Sequence, residues 1–160
     1  MKAIVTGSFD PFTLGHFEIV KKALEKYDEV YVVALNNEQK TYMFSLSERK
    51  AIIEKSTEKL SGVIVDAYSG LTADYMNKHG ITNIVRGIRN ETDREYEKNL
   101  AAKMQEFNPE FTTELIPCTP SLSDVSSTEA RKIIREGTPL DGILHTKAIE
   151  YIESLNKKLL

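Results

Sequence analysis

The chain has little cysteine: Cys118 stands alone, which excludes an intrachain disulfide and fits a reducing compartment. No apolar run approaches the ~18 residues of a membrane span, and the N-terminus lacks a signal-peptide pattern. There is no basic excess either. The net charge of −3 argues against nucleic acid as the main partner, while leaving room for a nucleotide, which needs only a few local cations. Neither Gly-x-Gly-x-x-Gly nor Gly-x-x-x-x-Gly-Lys-Ser/Thr occurs, so the common dinucleotide fingerprint and the P-loop are both unsupported. No His/Cys/Asp cluster has the spacing of a structural metal site, and internal repeats and low-complexity linkers are absent. With 160 residues, 41% hydrophobic and 28% charged, the expectation is a single cytoplasmic domain, residues 1–160, with a sizeable core and no membrane partner.

Apolar runs and helical stretches alternate throughout. Ala3-Ile4-Val5, Val30 to Leu35, Val63-Ile64-Val65, Asn83-Ile84-Val85 and Phe111 to Ile116 read as five strands. Between them lie helices: one whose face carries Phe17, Val20, Leu24 and Tyr27, and one opened by a Ser45–Glu48 capping box and running to about Leu60. A third runs from about Leu71 to Gly80, with His79 in its last turn, and a long fourth contains Tyr96, Leu100, Met104 and Phe107. Ser126 with Glu129 predicts a second capping box, on a helix ending near Gly137, and the last helix carries Leu144, Ala148, Tyr151, Ile152 and Leu155 on one face. The alternation predicts an α/β fold: an open, parallel, five-stranded sheet of Rossmann-like type with helices on both faces. Ligands of such sheets bind beyond the carboxyl ends of the strands, which selects the loops after Val5, Leu35, Val65, Val85 and Ile116.

The first loop is the most informative. Thr6-Gly7-Ser8-Phe9-Asp10-Pro11-Phe12-Thr13-Leu14-Gly15-His16 joins a strand to a helix and puts His16 in the helix's first turn. A helix N-terminus favours an anion, and the histidine adds a hydrogen-bond donor beside it. In the fourth loop, Arg86 and Arg89 flank Gly87 and Ile88, and their guanidinium forks match phosphate oxygens. Val125-Ser126-Ser127-Thr128 with Arg131 reads as an anion nest at a helix start. His79 reads as a C-terminal helix residue, His145 as a surface residue and Cys118 as a small packing residue.

Thr13-Leu14-Gly15-His16 is similar to the Thr/His-x-Gly-His motif of the nucleotidyltransferase superfamily. Gly7-Ser8-Phe9-Asp10-Pro11, Lys40 ahead of Met43-Phe44, Gly70 to Tyr75, Arg86 to Arg89 and Asp93 to Glu97 together resemble the pantetheine-phosphate adenylyltransferase family, in order and over nearly the whole chain. The resemblance implies reversible adenylyl transfer from ATP to 4′-phosphopantetheine, giving dephospho-coenzyme A and pyrophosphate, with Mg²⁺ carried on ATP and a homohexameric assembly. It implies that His16 stabilises the transition state with Lys40 and Arg89, and that Ser8, Lys40, Thr72 and Arg86 bind the acceptor. ATP would be held by Ser8, Phe9, His16, Gly87, Ile88, Arg89, Glu97, Val125, Ser126, Ser127 and Thr128. Two departures stand out: Ser8 replaces the usual threonine, and the Pro117 to Asp124 stretch lacks the aromatic residue usual there, which bears on the adenine-side contacts of Leu122 to Asp124. Ser-Ser-Thr-x-x-Arg is also similar to nicotinate or nicotinamide mononucleotide adenylyltransferases, and a non-catalytic nucleotide-binding regulatory domain is a third reading.

Overall fold

A computed structural model describes residues 1–159, with side chains through Leu155; Leu160, the last residue of the expected domain, lies outside it. Strands β1 (Lys2–Gly7), β2 (Glu29–Asn36), β3 (Val63–Ser69), β4 (Asn83–Ile88) and β5 (Thr112–Pro117) alternate with α1 (Leu14–Leu24), α2 (Leu46–Thr57), α3 (Thr72–His79) and α4 (Glu91–Phe107). A 3₁₀ turn at Pro120–Leu122 then leads to α5 (Ser127–Glu136) and α6 (Thr146–Leu159). All strand pairs are parallel, in the order β3-β2-β1-β4-β5. This is the Rossmann-like sheet that the alternation predicts.

Its central strands are nearly continuous apolar runs because both faces are covered. On one face Val5, Val30, Val32 and Val85 pack against Ile19 and Val20 of α1, Ile52 and Ile53 of α2, Ala130 of α5 and Ala148 and Ile152 of α6. On the other, Ile4, Val33 and Ile84 meet Ala73, Tyr75 and Met76 of α3, with Met104 of α4 alongside. Strand order reverses between β1 and β4, which pair only through Ala3–Asn83 and Ile4–Ile84. Beyond those pairs the two strands separate, and a crevice opens at the switch point.

Five expectations are corrected. Arg86, Gly87 and Ile88 belong to β4 and not to the loop after Val85, because Gly87 and Ile88 still pair with Ile116 and Pro117 of β5. Tyr27 lies beyond α1, which stops at Leu24; it is buried by the following turn and its hydroxyl donates to Glu114 at 2.9 Å. Leu144 is buried ahead of α6 rather than on its face, and α2 ends at Thr57, short of Leu60. The Ser45–Glu48 capping box forms in full, whereas Ser126 only accepts from the Glu129 amide, so the second box is half made. Gly80 and Gly137 close α3 and α5 in the left-handed conformation, as C-terminal glycines do.

Candidate active site

The crevice holds a cavity of about 430 Å³ between the ends of β1 and β4, closed on one side by the start of α5. The β1–α1 turn makes its floor. Phe9 sits there at φ 49°, in the left-handed region that a bulky side chain rarely adopts. Its buried ring covers Gly7, where a Cβ would come within 3.0 Å, and meets Phe12 and His16 edge-on at 5.3 and 4.9 Å. Phe9 therefore supports the imidazole from beneath. Asp10 accepts from the amides of Met43 and Phe44 at 2.9 Å, tying this turn to the segment before α2.

Thr13 caps α1 and its backbone N–H donates to His16 Nδ1 at 3.0 Å. His16 thus fills the place that Glu or Gln takes in an ordinary capping box. An N–H donor on Nδ1 requires that nitrogen to be the acceptor, so the proton resides on Nε2. Burial, reinforced by Arg86 and Arg89, lowers the His16 pKa from 6.5 to about 4. Near neutral pH the side chain is a neutral imidazole with a fixed Nε2–H on the cleft wall.

Arg86 and Arg89 supply the cationic side. Arg86 makes a two-pronged pair with the buried Glu97, Nε to Oε2 at 2.9 Å and Nη2 to Oε1 at 3.0 Å, and its Nη1 donates to the Thr6 carbonyl at 3.0 Å. Glu97 is the one buried residue of α4, so this pair fixes the first half of the helix to β4, with Met104 packed against the apolar cluster of Ile84 further along. Arg89 is half-exposed and leans on Asp93 through a longer 3.4 Å bond, leaving most of its fork available. Gly87 lets β4 pass close under α1: a Cβ there would lie 2.9 Å from Ile19.

Across the cleft, the Ser127 hydroxyl donates to the Pro11 carbonyl at 2.8 Å and Arg131 donates to the Asp10 carbonyl at 2.9 Å. Both side chains brace the β1–α1 turn. In the first turn of α5 the Ser126 hydroxyl accepts from the Glu129 amide at 3.1 Å, and the turn's N–H groups face the cleft end of the helix, where a helix favours an anion.

Of the residues expected in the site, Ser8, Phe9, His16, Arg86, Gly87, Arg89, Glu97, Val125, Ser126 and Ser127 line the cleft. Ile88 is buried and Thr128 is exposed, and neither is part of the cleft wall. Thr72 lines a second cavity of about 80 Å³, which shares Thr6, Arg86 and Glu97 with the first. Lys40 lies outside both, on an exposed segment between β2 and α2. Cys118 and Leu122 join the wall, so Cys118 is a cleft residue as well as a packing one. Thr13 and Asp10 act on the site without having been expected to, and Arg131, expected in the anion nest, braces the β1–α1 turn instead. Thr13 had a legible signal, a Thr three residues before His16, hidden because histidine replaces the usual Glu or Gln.

Since His16 protonates near pH 4 when folded and near 6.5 when unfolded, the unfolded chain binds the extra proton between those values. The contribution to stability is complete above about pH 6.5 and disappears as pH falls through about 4, a change on the order of 3 kcal/mol. Imidazole NMR should show an Nε2–H tautomer titrating near 4. A midpoint near 6.5 would contradict the partly buried geometry with Arg86 and Arg89 close by.

A neutral histidine on a capping turn, paired arginines at the end of the neighbouring strand and a helix start opposite, all at a switch point, define a phosphate-handling nucleotidyltransferase cleft. Residues 4–133 match the Cytidylyltransferase-like family. The chain is 38% identical over 156 residues to the phosphopantetheine adenylyltransferase of Bdellovibrio bacteriovorus, covering 98% of both chains. It is 35% identical over 159 residues to that of Petrotoga mobilis (99% and 96% covered) and 37% identical over 137 residues to that of Thermotoga neapolitana (86% and 85% covered). The chain belongs to the phosphopantetheine adenylyltransferase family.

Proposed function

We propose that this cleft transfers an adenylyl group from ATP to 4′-phosphopantetheine, forming dephospho-coenzyme A and pyrophosphate. The observation that carries the reading is the neutral Nε2–H of His16 in the same cleft as Arg86 and Arg89, at the switch point. The acceptor is already a phosphate, so its oxygen attacks the α-phosphorus without a base, a new P–O bond forms, and the bond to the β-phosphate oxygen breaks. Charge accumulates on the α-phosphate oxygens as two anions meet in line. The site's work is positioning and electrostatic stabilisation.

In this reading His16 Nε2–H donates to an α-phosphate oxygen, and Arg89 and the α5 amides hold the triphosphate. Gly87 lies against the nucleotide through its backbone, on the strand that passes close under α1. Ser8 lies where both substrates meet. Arg86 and Lys40 take the acceptor phosphate, while Thr72 and the second cavity accommodate its arm. Asp93 and Glu97, the acidic residues of the cleft, are engaged by Arg89 and Arg86. That donor set suits a magnesium ion held by ATP oxygens more than one held by protein, and when bound it would neutralise phosphate charge.

Homohexamer formation is part of the proposal. It is supported by α4, which leaves Tyr96 65% and Phe107 58% exposed. A cytoplasmic location also belongs to it; no described helix is long and apolar enough to cross a membrane. Purified protein should release pyrophosphate when given ATP, Mg²⁺ and 4′-phosphopantetheine, and far less with nicotinate or nicotinamide mononucleotide. Release with a mononucleotide alone would overturn the acceptor, and ATP binding without turnover on any acceptor would overturn the reaction.

A further inference from the structure

Arg49, in the first turns of α2, is fully buried and pairs with no carboxylate among the described residues. Its fork instead gathers backbone and amide oxygens: Nη1 donates to Ser8 O and Leu35 O at 2.9 Å, Nη2 to Asn36 Oδ1 at 2.8 Å, and Nε to Phe44 O at 3.2 Å. The guanidinium carbon lies 3.8 Å from the centre of the Tyr42 ring. The Tyr42 hydroxyl accepts from the Asn37 amide at 2.9 Å, and the Lys40 amide donates to the Asn37 carbonyl at 2.9 Å.

A buried charge is costly unless its donors are satisfied, and an apolar side chain would fill the same space without that cost. What the fork adds is a simultaneous grip on the turn after β1 and the end of β2. Through Tyr42 it also closes the segment from Asn37 to Tyr42 into a ring that carries Lys40. We propose that Arg49 and Tyr42 are positioning residues that hold Lys40 in register with Ser8 for the acceptor phosphate; this rests on the adenylyl-transfer reading above. Asp10, holding the Met43 and Phe44 amides, secures the neighbouring junction independently. Loss of Tyr42 therefore loosens the Lys40 segment while the rest of the connection stays fixed.

The test compares Tyr42→Leu, Tyr42→Phe, Arg49→Lys and Lys40→Ala by kinetics, melting and amide hydrogen exchange. Tyr42→Leu should raise KM for 4′-phosphopantetheine roughly five- to tenfold, on the scale of one partly desolvated cation–π contact, with KM for ATP within about twofold. Its melting temperature should stay near wild type, while exchange at Asn37 and Lys40 quickens about tenfold. Tyr42→Phe keeps the ring stack and should hold the acceptor KM within about threefold. Arg49→Lys keeps the charge but loses stack and fork, so it should raise acceptor KM at least as much as Tyr42→Leu. In a Lys40→Ala background the Tyr42→Leu effect should vanish. An unchanged acceptor KM, an equal rise for both substrates, or an effect that persists without Lys40 would overturn the positioning role. Absence of turnover by the wild-type enzyme would instead overturn the activity reading, and this inference with it.

Discussion

His16→Ala should lower turnover on the order of 10²–10³-fold, the loss typical of one preorganised donor facing a developing oxyanion. Two roles meet at this residue. Its Nδ1 accepts from the Thr13 amide, an interaction that caps α1, and its Nε2–H is the donor available to a phosphate. Alanine removes both, so the protein should also lose about 1 kcal/mol of stability, the usual effect of a missing cap. His16→Glu separates the two: it restores the acceptor for Thr13 N–H but supplies no donor and places a carboxylate against the triphosphate. The glutamate variant should melt near wild type and turn over no faster than the alanine variant. Loss of folding in His16→Ala, or recovery of turnover in His16→Glu, would assign the histidine to structure alone.

The second large effect is on stability. Arg86→Ala should destabilise the protein by about 3–5 kcal/mol, the range for stranding one member of a buried ion pair. The Glu97 side chain is only 8% exposed and would lose both of its arginine donors, at 2.9 and 3.0 Å. The Thr6 carbonyl would lose the Nη1 donor as well. In a chain of 160 residues that loss should shift Tm by roughly 10 °C. Adding Glu97→Gln removes the stranded charge and should recover more than half of the stability. Turnover should stay low in the double variant, because the cation shared by the two cavities is still missing. Equal melting of wild type and Arg86→Ala would show that the pair contributes nothing net.

Much of this was legible along the chain. Apolar runs alternating with helical faces carried the five parallel strands, because a strand covered on both faces must be apolar throughout. The motif from Thr6 to His16 was readable for a local reason: a strand end, a turn and a helix start are adjacent in sequence, so their chemistry is adjacent too. Arg49 was not readable. A charged residue on an otherwise ordinary helix reads as solvated, and only packing shows that it is buried against the ends of β1 and β2. Ser127 and Arg131 were read as anion ligands from the helix start they sit on. Their partners, the carbonyls of Pro11 and Asp10, lie more than a hundred residues away, and no local pattern could have named them.

By itself, then, the sequence determined the sheet, the Ser45–Glu48 cap and the family of the chain, all of which depend on neighbours within a few turns or on motifs kept in order. The tertiary structure alone decided how those motifs act. It set the lowered pKa of His16, the commitment of Arg86 to Glu97, and the burial of Arg49 against the ends of β1 and β2. Each of these is a matter of burial or of a through-space partner, and neither is encoded at any single stretch of the chain.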